Sequence, residues 1–71
     1  MTGLRYRVGV DPPLPEGVVA EIERRFGPVR ATQGRRVTLR GTLMDQAALR
    51  ALLTLLWDVG AELVSVRVAP A

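Results

Sequence analysis

The sequence predicts one two-layer α+β domain built in the order βαββαβ. Three observations carry this. Apolar and polar residues alternate with period two in short stretches, as half-buried strands require. Two further stretches repeat apolar residues every three or four positions, as helices with one buried face do. Each helical stretch lies between an acidic turn and a glycine, Asp11 to Gly27 and Asp45 to Gly60, so the chain reads as two copies of one strand–helix–strand plan.

Leu4-Arg5-Tyr6-Arg7-Val8-Gly9-Val10 is the first strand. Asp11-Pro12-Pro13-Leu14-Pro15 ends it, because proline has no N–H for the ladder, and Pro15 suits the first position of a helix, where none is needed. Val18, Val19, Ile22 and Phe26 form one apolar helical stripe; Gly27 stops the helix and Pro28 forbids its extension. Val29 to Thr32 and Arg36 to Leu43 read as a hairpin. A three-residue turn Gln33-Gly34-Arg35, with Gly34 left-handed, sets Ala31 opposite Val37 and Val29 opposite Leu39. A two-residue turn would set Ala31 against Arg36 instead. Asp45 caps a second helix that runs to about Val59, with Gly60 as its stop. Glu62 to Val68 is the last strand, with Val64, Val66 and Val68 alternating against Leu63, Ser65 and Arg67.

Right-handed crossovers in both βαβ halves give a four-stranded antiparallel sheet of strand order 4-1-3-2 with two helices on one face, the ferredoxin-like sandwich. Residues 1–71 make a single domain. Its predicted core is Tyr6, Val8, Ile22, Phe26, Val37, Leu39, Leu49, Leu52, Leu56, Val64 and Val66.

Composition limits the chemistry. The chain is 48% hydrophobic and 24% charged, a globular balance, and has neither cysteine nor histidine. That removes disulfides, zinc sites of thiolate or imidazole, Ser-His-Asp and Cys-His catalysis, and thiol redox roles. Of the seven carboxylates, Glu16, Glu21, Glu23, Asp45, Asp58 and Glu62 fall on helix surfaces, caps or strand starts, and Asp11 ends the first strand. None are forced to converge in an apolar cleft, as paired-carboxylate catalysis requires, or into a divalent-metal cluster. Ser65, the sole serine, has no candidate base. The expectation is a non-enzyme with no catalytic residue, no cofactor and no metal.

The net charge is +3, and all ten basic residues are arginine. If Tyr6 and Val8 face the helices, Arg5 and Arg7 face the open side of the sheet. The same parity sends Arg30, Arg36, Arg40 and Arg67 there, so that six arginines share one uncovered face. Domains of this topology bind single-stranded RNA on that face, and a guanidinium fork bonds phosphate or carboxylate bidentately. The aromatic stacking platform is missing, since parity turns Tyr6 into the core. The second helix carries another anomaly. Its polar stripe, Gln46, Arg50, Thr54 and Asp58, is narrow, and Leu53 with Trp57 forms an apolar ridge beside Arg50. Such a ridge reads as an interface with a second copy or a protein partner.

Arg5 and Arg7 have no apolar run behind them, which is not a signal-peptide pattern. Ala47 to Val59, broken by Arg50 and Asp58, is too short to span a bilayer. The expected setting is soluble and cytoplasmic, with no membrane partner.

Gly41-Thr42-Leu43-Met44-Asp45-Gln46-Ala47-Ala48-Leu49, followed by Asp58-Val59-Gly60-Ala61-Glu62-Leu63-Val64-Ser65-Val66, resembles the C-terminal half of a family of small uncharacterised bacterial proteins. That resemblance implies no chemistry. More remotely, the βαββαβ plan with Asp11 ahead of a helix is similar to ACT-type regulatory domains, which implies a small-ligand sensor. Those domains usually carry a D-x-P-G-L-type turn, whereas this one reads Asp11-Pro12-Pro13-Leu14, without the glycine. Together these readings rank an interaction or regulatory module, homo-oligomeric, first. Nucleic-acid binding through the arginine face is the alternative, and an ACT-type sensor is third.

Overall fold

A computed structural model describes residues 3–71. Its elements follow the predicted order: β1 Leu4–Asp11, α1 Val18–Phe26, β2 Val29–Gln33, β3 Val37–Leu43, α2 Gln46–Asp58 and β4 Glu62–Pro70. They form one antiparallel sheet of order β2-β3-β1-β4, which is 4-1-3-2 read from the other edge. The helices cover one face. Between the layers lie Tyr6, Val8 and Val10 of β1, Val37, Leu39 and Leu43 of β3, Val18 and Ile22 of α1, and Leu52 and Leu56 of α2, all buried. Fully burying each such aliphatic side chain contributes about 1.5–3 kcal/mol.

The ends of α2 are built from the residues that predict them. The Asp45 carboxylate accepts from the Ala48 N–H at 2.9 Å, satisfying one of the donors that a helix start leaves free. At the other end Gly60 takes φ 83. There the Ala61 N–H reaches the Leu56 carbonyl at 2.9 Å and the Gly60 N–H reaches Trp57 at 3.0 Å, a Schellman closure that needs a left-handed residue. α1 starts later than Pro15 implies. Gly17, with φ 85, stands at its N-cap and no side chain caps it, which leaves Pro15 in the preceding loop.

Two registers differ from expectation. The hairpin loop has three residues, but they are Gly34-Arg35-Arg36: Gln33 pairs with Val37, Ala31 with Leu39 and Val29 with Gly41. Gly34 is not left-handed; the positive-φ glycines among the described residues are Gly17, Gly27 and Gly60. The shift of two residues keeps every side chain on its expected face and has a steric counterpart at Gly41. Tyr6 is directly opposite Gly41, and a Cβ there would stand 2.7 Å from the Tyr6 hydroxyl and 2.8 Å from its ring. The residue between Val29 and Tyr6 must therefore be glycine, which gives the ring its space.

The second difference is in β4. A bulge between Gly9 and Val10 sets Leu63, not Val64, opposite Val10, so Leu63 packs against the core. Val64 and Val66, expected in the core, are 37% and 41% exposed. β4 is an edge strand, with neighbours on one side only, and the helix layer does not close over it. Phe26 and Leu49 are half-buried at the margin of the core.

Candidate functional site

Residues of the sheet that alternate with the core positions emerge on the helix-free face, and the pairing registers arrange them in rows. Arg30 is directly opposite Arg40, Arg40 is opposite Arg7, and Arg7 is opposite Arg67. One arginine from each of the four strands thus forms a continuous row across the sheet. With strands about 4.8 Å apart, the row is roughly 14 Å long.

Low rows flank it. On one side Thr32, Thr38, Gly9 and Ser65 are mutually opposite. A Cβ on Gly9 would stand 2.7 Å from the Ser65 hydroxyl, so the serine side chain lies over the glycine and the row is flat. On the other side Arg5 lies between Thr42 and Ala69. The five arginines, with Thr42 and Ala69, line an open depression of about 1000 Å³.

The row lacks counter-charges. Ion pairs among the described residues are Arg24 with Glu21 on α1, whose Nε–Oε1 contact is 3.1 Å, and Arg36 with Asp11 at 3.5 Å. Arg24 hydrogen-bonds the exposed Glu21 carboxyl and holds it below the usual carboxylate range. Arg5, Arg7, Arg30, Arg40 and Arg67 form no such pair. Asp11 and Glu62 are opposite one another at the far end of the face. From Arg7 to Asp11 is about 13 Å along β1, beyond the Debye length of about 10 Å at 0.1 M salt.

Five of the six predicted arginines therefore gather, and Arg36 stands apart in the hairpin turn beside Asp11. The row itself was not visible in the sequence, because the expected hairpin register puts Arg30 opposite Thr38. The signal that finds it is Gly41, which must lie between Val29 and Tyr6. Like charges directly opposite one another destabilise a sheet, so the row costs the unliganded fold stability.

The predicted interface residues share one side of α2. Trp57 is 60% exposed, Leu53 is half-buried and Arg50 exposed, and with Gln46, Leu49 and Thr54 they border a shallow groove. Among the described residues no three Asp, Glu, His or Cys side chains come together as a metal site, and no helix is long and apolar enough to cross a membrane.

Fold and face together define a small ferredoxin-like α+β domain with an arginine-bearing open sheet. The chain belongs to a family described as a domain of unknown function (DUF8691), whose model matches residues 5–67 and so spans all five arginines of the face. No curated protein and no solved structure matches it.

Proposed function

We propose that this chain is a non-enzymatic contact module that holds the phosphate backbone of a single-stranded nucleic acid on its open sheet face. The in-register row Arg30–Arg40–Arg7–Arg67, without carboxylate partners, supports this reading most directly. Guanidinium forks take phosphate oxygens bidentately. Beside them the flat row of Thr32, Thr38, Gly9 and Ser65 leaves space and hydroxyl groups for sugars and base edges. A flat sheet face suits single strands, whereas a duplex major groove takes a projecting helix or ribbon. Unstacked bases can lie on guanidinium planes, but no aromatic ring supplies the usual 1–3 kcal/mol or so per base. Binding therefore rests on charge: tolerant of sequence and steeply sensitive to salt. A cytoplasmic location goes with that partner.

The test is fluorescence anisotropy with labelled oligonucleotides, comparing wild type with Arg7→Gln/Arg40→Gln/Arg67→Gln. Wild type is expected to bind single strands at low salt and to release them at moderate salt. The variant should keep its circular dichroism and lose binding. No binding at low salt, or full affinity in the variant, overturns the reading. So does competition by polyglutamate that equals an oligonucleotide of the same length, which would transfer the face to an acidic protein partner.

A further inference from the structure

The sheet has two edges, and they differ. β2 is five residues long and opens immediately after Pro28. β4 is nine residues long, with proline only at its last position, Pro70. Its Val64, Val66 and Val68 are 37%, 41% and 43% exposed. An unpaired strand of this length presents a row of free N–H and C=O groups to any strand that can match it.

We propose that β4 pairs antiparallel with β4 of a second copy, about a two-fold axis through Val66, joining two sheets into one. The strand is its own complement in this register. Val66 meets Val66 of the second copy, and Val68 meets the strand at the Val64 bulge, so the exposed valines come together, as an isologous contact requires. Arg67 meets Ser65. A register centred on Arg67 would set two guanidinium groups against each other, which costs stability. The axis is perpendicular to the sheet, so both arginine rows remain on the same face. The pairing does not depend on what that face binds.

Because the chain has no cysteine, one introduced thiol reports the register. Residues on the axis have Cα atoms about 4.5–5.5 Å apart, within disulfide reach. Two Ser65 residues would be roughly 8 Å apart, outside it. Wild type is expected to sediment as a dimer at high micromolar concentration, and Val66→Cys to form a disulfide dimer under mild oxidation while Ser65→Cys does not. Trp57→Glu should leave the dimer intact. A wild-type monomer at that concentration, equal cross-linking through Ser65→Cys, or dissociation by Trp57→Glu overturns the proposal. The sedimentation result stands on its own if a cysteine variant fails to fold.

Discussion

Arg7 stands directly opposite Arg40 on the central strand pair, and on its other side directly opposite Arg67. Strand pairing usually puts unlike or neutral residues in such positions, since their Cβ atoms are only about 4.5–5.5 Å apart. Here three successive oppositions, from Arg30 to Arg67, are all arginine with arginine. Hydrophobic packing on the covered face holds the sheet against this repulsion, and an anion laid along the row would relieve it.

Arg40→Gln removes two of the three oppositions. The unliganded protein is therefore expected to gain stability, by about 0.2–1 kcal/mol for each opposition relieved, while losing affinity for single strands. Urea unfolding at low salt measures the first part. A destabilised Arg40→Gln would mean that Arg40 makes a favourable contact in the folded state.

Binding should be flat with pH where a histidine- or lysine-based site is not. Guanidinium stays charged far above neutrality, and the chain has no histidine. Anisotropy titrations between about pH 6 and 9 are expected to give one affinity. A clear loss across that window would point to a group other than the row.

Alkaline pH acts through Tyr6, the only tyrosine. Burial raises its phenol above the ordinary value of 10.0. The native state thus retains a proton that the unfolded chain gives up, and the slope of unfolding free energy with pH is negative there. The stability linked to Tyr6 is fully present below about pH 10 and falls as pH rises through the raised value. Tyrosinate absorbance should appear late and together with loss of circular dichroism. Ionisation near the ordinary value with the fold intact would contradict the burial of Tyr6 beside Gly41.

Glycine substitutions separate the two hairpin registers. Gly41→Ala forces a Cβ to 2.7 Å from the Tyr6 hydroxyl and should cost about 1–3 kcal/mol, as overpacking does. Gly34→Ala meets nothing closer than the Arg36 carbonyl oxygen at 3.9 Å, and is expected to stay within about 0.5 kcal/mol of wild type. The reverse order would restore the left-handed Gly34 turn. In the core, Leu52→Ala should cost about 2–5 kcal/mol.

These residues also show what could be read in advance. Period-two and helical patterns, Asp45 and Gly60 specify element order and sheet order, because each is a local signal for a local structure. Strand registers are not local. A shift of two residues preserves parity, so the alternation that defines β2 and β3 says nothing about whether Arg30 meets Thr38 or Arg40. The bulge at Gly9 likewise leaves no mark in the β4 sequence, and it turns Leu63 rather than Val64 toward Val10. Parity located the arginine face; its alignment into a row came only from pairing.

Phosphate binding by the arginine row is tested most directly by the slope of log affinity against log salt for an oligonucleotide short enough to occupy one row. Four phosphates neutralised on a single strand give a slope of about −3, from roughly −0.7 for each. Arg40→Gln should reduce its magnitude by about 0.7, whatever the base sequence. A slope near zero, or one that Arg40→Gln leaves unchanged, would contradict the claim that this row holds a phosphate backbone.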